Sequence, residues 1–146
     1  MALTIGKLPR PEAALAAAVT FMAGREPFSS LPFGSMVSSI SGAVQRGHYM
    51  MAVDDGRVVG FTFWAVTSSD VARRWTEEGY TPTFAEATGG DTVVLTMGGG
   101  DHPLVAMKGI KHIAKLYPGW TYRMVRFGRV GTKTGRFPGS AVGGIT

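Results

Sequence analysis

The chain has no cysteine among its 146 residues, which removes disulfides, thiolate nucleophiles and Cys-ligated zinc or iron–sulfur centres from consideration. Histidine is scarce too. His48, His102 and His112 do not fall at metal-ligand spacing and no carboxylate cluster joins them, so no metal site is expected. No segment is apolar for long enough to span a bilayer. The opening stretch lacks the basic-then-apolar order of a signal peptide, because Pro9, Arg10, Pro11 and Glu12 interrupt it. These absences point to a soluble, cytoplasmic protein. Acid is missing from one part of the chain: residues 102–146 carry eight Lys/Arg and no Asp/Glu, whereas residues 1–101 carry seven Lys/Arg against ten Asp/Glu. The net charge of +5 therefore conceals a strongly basic C-terminal third. Such a field raises the encounter rate with an anionic partner: an acidic carrier protein, a phosphorylated cofactor, a nucleic acid or a membrane surface. Aromatic residues interleaved with basic ones, as nucleic-acid binding asks, occur only in residues 121–129, so no nucleic acid is expected.

The length predicts one domain that buries roughly two-thirds of its unfolded surface without a covalent staple. Residues 11–23 are strong helix formers stopped by Gly24. Residues 34–46 place Met36, Val37, Ile40 and Val44 at helical spacing, with Gly47 as the stop. His48 to Val53 and Arg57 to Val66 are β-rich runs joined through Asp54-Asp55-Gly56, a strong hairpin signal. Ser68, Ser69 or Asp70 can cap a helix running to about Gly79, and Tyr80 to Gly90 reads as an exposed connection. A strand is expected over residues 120–130. The remainder divides the chain into a domain of residues 1–132 and a loosely held Gly-rich tail of residues 133–146. Trp64, Trp75 and Trp120, with Phe61 and Phe63, are core candidates.

Residues 90–120 carry the most information: a β-rich run from Thr92 to Met97, the glycines Gly98, Gly99 and Gly100, and an amphipathic helix opening at Pro103. Read this way, the glycines form a loop that lets backbone N–H groups approach a ligand, at a helix N-terminus that favours anions. The segment matches neither the GxGxxG nor the GxxxxGK[ST] phosphate pattern, and a plain tight turn is the competing reading. His102, beside Asp101, is the histidine placed nearest a ligand. Lys108, Lys111 and Lys115 share one face of the helix, while Ala106, Ile110, Ile113 and Tyr117 are expected on its buried face. The lysines are either a solvated face or a landing strip for acidic groups.

The ordered series of residues resembles the toxin-activating lysine acyltransferases, the hemolysin-activating family built on a GNAT-like fold. The resemblance spans residues 12–130. It runs from a helix ending near Phe21 and Met22 through Glu26-Pro27-Phe28 to Gln45-Arg46-Gly47-His48-Tyr49 entering a strand. It continues through residues 59–65, ending in Trp64-Ala65, then Arg74-Trp75, Gly90-Asp91, Gly100-Asp101 and Tyr117-Pro118. What it implies is an α/β fold, with a mixed, mostly antiparallel sheet flanked by helices. It also implies transfer of a fatty acyl group from acyl carrier protein, or from acyl-CoA, to a lysine-type amine of a protein or peptide acceptor. No bound cofactor is implied, and a homodimer stays open.

The sequence departs from that family where its chemistry sits. Ser29 and Ser30 follow Pro27-Phe28 where the family has a His, Thr96 or Val94 stands for an Asp, and Ser39 stands for an Asn. Ser29, Ser30 and Thr96 thus occupy the old catalytic positions, and His48 and His102 are the candidates for a substitute base. Met97, Gly98, Gly99 and Gly100, with Lys108 and Lys111, are the acyl-donor candidates. The alternatives are a non-catalytic binding module whose basic third holds an acidic protein or a nucleic acid, and small-molecule amine acetylation with acetyl-CoA.

Overall fold

The computed structural model describes residues 3–125 and 132–139. Among the described residues six strands and four α-helices follow one another: β1 (Leu3–Gly6), α1 (Pro11–Ala23), α2 (Phe33–Arg46), β2 (Tyr49–Asp54), β3 (Arg57–Thr67), α3 (Ser69–Glu78), β4 (Thr92–Gly100), α4 (Pro103–Leu116), β5 (Thr121–Val125) and β6 (Thr132–Arg136). The strands follow chain order in one six-stranded sheet. β1 with β2, β2 with β3 and β5 with β6 are antiparallel, whereas β4 and β5 are parallel. The expected α/β fold with a mixed, mostly antiparallel sheet is the fold observed. No helix among the described residues is long and apolar enough to cross a membrane.

The chain divides into two compact units, Met1–Phe63 with Met97–Gly109, and Trp64–Thr96 with Ile110–Thr146. In the first, Pro11 opens α1 at a position whose N–H would have had no partner. The helix buries Ala14, Ala18, Phe21 and Met22, one face at helical spacing. α2 turns Met36, Ile40, Ala43 and Val44 to the same core and stops at Gly47, whose φ of 74° is left-handed. β2 and β3 complete that core with Tyr49, Met51, Phe61 and Phe63, alternate residues of each strand. Their hairpin turns through Asp55 and Gly56, with φ of 51° and 75°. Positive φ at both central residues is the geometry an Asp-Gly pair favours. β1 was not foreseen; it lies along β2 at the sheet edge, with Leu3 opposite Asp54 and Gly6 opposite Met51.

In the second unit Ser68 caps α3, its hydroxyl accepting from the Val71 N–H at 3.2 Å. Tyr80 to Gly90 is not merely an exposed connection. Ala87 is buried, its carbonyl accepts from the Val66 N–H, and Thr88 forms an isolated parallel bridge with Val66, so the end of the segment is tied to β3. Gly90, with φ of 145°, lies so close to the Thr67 backbone that a side chain there would collide with it. The Trp64 indole donates to the Tyr117 hydroxyl at 3.0 Å, and Tyr117 leans on Trp120. The segment read as a loose tail contains β6, followed by buried Phe137 stacked on Tyr122 at 4.6 Å. Pairing with β5 orders this polar strand, a tertiary cause invisible in its composition. Residues 126–131 of the expected strand and 140–146 of the tail lie outside the described residues.

Candidate functional site

Gly98, Gly99 and Gly100 do not form a loop; they are the end of β4, and only Asp101 and His102 separate that strand from α4. Their missing side chains serve packing. A Cβ on Gly99 would stand 3.1 Å from the Phe28 ring, and one on Gly100 would stand 2.9 Å from Val105. A Cβ on Gly60 of β3 would run into Val105 and come within 2.9 Å of the Gly99 carbonyl. The absence of a Cβ at Gly60 and Gly100 thus lets α4 close on the two strands, and at Gly99 it relieves a tight contact with Phe28. Gly98 differs, because the nearest atoms to its absent Cβ are at 3.6 Å.

β4 pairs with β5 from Thr92 opposite Thr121 to Leu95 opposite Met124. Thr96 to Gly100 run on past Leu95. Met97 packs partly buried against the core of the first unit. The N-terminus of α4 spends its own donors: the Leu104 N–H goes to His102 Nδ1 at 3.1 Å, the Val105 N–H to the His102 carbonyl, and the Asp101 N–H to Val59. It is a capped helix end.

Asp101 carries the ion pair of this region. Arg25, just past α1, grips both its oxygens, Nε to Oδ1 at 2.7 Å and Nη2 to Oδ2 at 3.0 Å. Arg25 also donates to the Phe21 carbonyl and lies 3.8 Å over the Phe21 ring. The Arg25 hydrogen bonds hold the Asp101 carboxyl below the usual range. No local spacing announces this pair, since 76 residues separate its members.

Ser29 and Ser30 lie exposed in a short 3-10 turn after the cis Glu26–Pro27 bond, and both hydroxyls donate to the Glu26 carboxylate, at 2.7 to 2.9 Å. Glu26, three residues before Ser29, is thus the carboxylate beside both hydroxyls. Hydrogen bonds from Ser29, then Ser30, hold the Glu26 carboxyl below its usual range, which makes it a weak proton acceptor. Thr96 is half-buried on β4 and belongs to the second unit.

His48 is half-buried where α2 passes into β2, with Arg46 Nε 3.3 Å from its Nδ1. Burial first, then the charges of Arg46 and Lys7, push its pKa down to about 4. It is neutral at pH 7 but poorly matched to general-base work there. In His102, Nδ1 accepts from the Leu104 N–H at 3.1 Å. The first unit therefore holds Ser29, Ser30, His48, His102, Met97, Gly98 to Gly100 and Lys108, and within it the serine hydroxyls go to Glu26 while His102 Nδ1 takes the Leu104 N–H. Lys111 belongs to the second unit. No cluster of His, Asp or Glu fit for a metal occurs among the described residues.

The buried stripe of α4 also differs from the expected one. Val105, Gly109 and Ile113 face inward while Ala106 is exposed, because Gly109 lets the helix come down on Thr62 and Met50. Lys108, Lys111 and Lys115 are exposed, as is Lys133. Arg123 instead binds Glu77 at 2.7 Å, and Arg136 donates to the Gly119 carbonyl. Arg126 and Arg129 lie outside the described residues.

No protein-family model matches the sequence, and no curated protein matches it. Solved structures do match. The loading GNATL domain of CurA from Lyngbya majuscula superposes with a TM-score of 0.63 at 10% identity, over 88% of this chain and 67% of that one. The GphF GNAT-like decarboxylase in complex with isobutyryl-CoA gives 0.57 at 15% identity, over 85% of this chain and 65% of that one. The PaiA N-acetyltransferase from Thermoplasma acidophilum, in complex with coenzyme A, gives 0.52 at 12% identity, over 85% and 79%. The fold is GNAT-like.

Proposed function

We propose that the chain transfers a fatty acyl group from acyl carrier protein, or from acyl-CoA, to a lysine-type amine of a protein or peptide. The observation that carries this reading is the run of β4 past Leu95 into Met97, Gly98, Gly99 and Gly100, in a fold whose relatives include structures bound to isobutyryl-CoA and to coenzyme A. Gly98 and Gly100 are exposed at this strand end, and an extended pantetheine arm can lie along their backbone as a further strand would. Backbone N–H groups there are suited to the oxyanion that forms when an amine nitrogen attacks the thioester carbonyl. The C–S bond then breaks, and the thiol leaves with the proton the amine gives up.

Alignment is asked to do most of the catalysis. Positioning contributes roughly 7–11 kcal/mol to such a reaction, whereas a general base contributes about 10²–10⁴-fold in rate. The Ser29 and Ser30 hydroxyls are bound to Glu26 and the His48 pKa is pushed down to about 4, so slow transfer is the expected outcome. That same observation favours the second reading, a binding module that holds an acidic protein without chemistry. Incubation with octanoyl carrier protein or octanoyl-CoA and lysine-containing peptides decides between them. Release of free thiol with an octanoyl mass increment on the peptide is expected. Binding of the carrier protein without either product would overturn the transferase reading in favour of the module.

A further inference from the structure

An open groove on the first unit, between α1 and the start of β3, takes no part in the chemistry above. Its volume is about 410 Å³, and its walls include Ala17, Thr20 and Phe21 of α1, Arg25 beyond it, and Arg57 and Val58 of β3. That volume lies within the roughly 300–1,000 Å³ of small-ligand sites. Ala17, Phe21 and Val58 make an apolar trough, and two guanidinium groups stand at its rim.

The two arginines differ in what they have left to give. Arg25 has committed Nε and Nη2 to Asp101 and Nη1 to the Phe21 carbonyl, and its plane rests on the Phe21 ring. Two of its five N–H donors remain. Arg57 is exposed and takes part in none of the ion pairs among the described residues. Asp101 grips Arg25 and its charge reaches Arg57 as well, so the three groups together leave one net positive charge at the rim. One planar cation at the end of an apolar trough selects a monoanion attached to a short hydrocarbon chain and repels a cation of the same shape.

We propose that this groove binds a medium-chain carboxylate, its head on Arg57 with the remaining N–H groups of Arg25, and its chain along Ala17, Phe21 and Val58. The site is independent of the acyl-transfer reading, and its test uses neither acyl donor nor acceptor. Titration of the full chain with octanoate at low salt should give saturable one-to-one binding below about 1 mM. Hexanoate should bind about tenfold more weakly, because two fewer methylenes leave water. Octylammonium should not bind. Arg57→Ala should weaken octanoate about tenfold through loss of a charge-assisted contact. Thr20→Trp, at an exposed position that fills the trough, should abolish binding, with unchanged circular dichroism showing that each variant is folded. No saturation by about 10 mM octanoate, equal binding of octylammonium, or wild-type affinity in both variants would overturn the assignment.

Discussion

Burial of the His48 ring beside Arg46 and Lys7, which holds its pKa at about 4, has a consequence for stability. The unfolded chain binds a proton at this ring near pH 6.5 while the folded chain resists it. Between those pH values the unfolded state holds more protons, so stability rises with pH. The contribution is complete above pH 6.5 and is lost as pH falls towards 4, a loss of about 1 to 2 kcal/mol once partial exposure screens the charges. His48→Asn should flatten that part of the profile in urea unfolding followed from pH 7 to pH 4. An equally steep loss in the variant would refute the assignment. Ser29 and Ser30 lead to the opposite kind of expectation. Their hydroxyls are exposed and serve Glu26, whose carboxyl is held low and therefore ionised at neutral pH. Ser29→Ala and Ser30→Ala should each leave acyl transfer within a few-fold of wild type, and intact mass spectrometry should show no acyl ester on the protein. A dead alanine variant together with an ester adduct would instead identify a hydroxyl nucleophile.

At the scale of the element, the decisive residues in β4 are the ones without side chains. A glycine run between a β-rich segment and a helix reads locally as a loop, since glycine carries weak strand propensity. The strand nevertheless extends to Gly100, because Phe28 and Val105 come close only where no Cβ intervenes. Gly99→Val and Gly100→Val therefore cannot test ligand approach without disturbing packing. We expect Gly60→Ala and Gly100→Ala to lower stability by about 1–3 kcal/mol through overpacking. Gly98→Ala, with only ordinary contacts, should unfold at a urea concentration near that of wild type. If Gly98→Ala proves the most destabilised of the three, the packing account is wrong. The same logic explains which elements were legible. α1, α2, the Asp55-Gly56 hairpin and α3 are set by signals within a few residues: Pro11, Gly47, a turn dipeptide and the Ser68 cap. β1, β6 and the phase of α4 depend on partners distant in sequence: Met51 to Asp54 for β1, Thr121 to Val125 for β6, and Thr62 with Met50 for Gly109. The Arg25–Asp101 pair was hidden for that reason, whereas the serines and histidines could be named but their partners could not.

For the whole molecule, the uneven charge is the feature with the longest reach, and the fold sorts its sources. Eight basic residues follow Asp101, yet two of them are already engaged: Arg123 with Glu77 and Arg136 with a backbone carbonyl. Lys108, Lys111, Lys115 and Lys133 stand exposed, the first three along one helix. If this field serves to gather an acidic carrier protein, binding should weaken steeply as salt rises, because exposed charges farther apart than about 8 Å are largely screened at physiological ionic strength. Reversal of Lys108, Lys111 and Lys115 to Glu should remove most of the affinity and most of its salt dependence, acting chiefly on the association rate. Arg123→Gln should reduce thermal stability more than it reduces binding, since that guanidinium is spent on Glu77. Acyl carrier protein titrated against each variant at two salt concentrations, with melting followed in parallel, separates these effects. Affinity that stays constant across salt, or that survives the triple reversal, would show that the lysines are a solvated face and that recognition rests elsewhere.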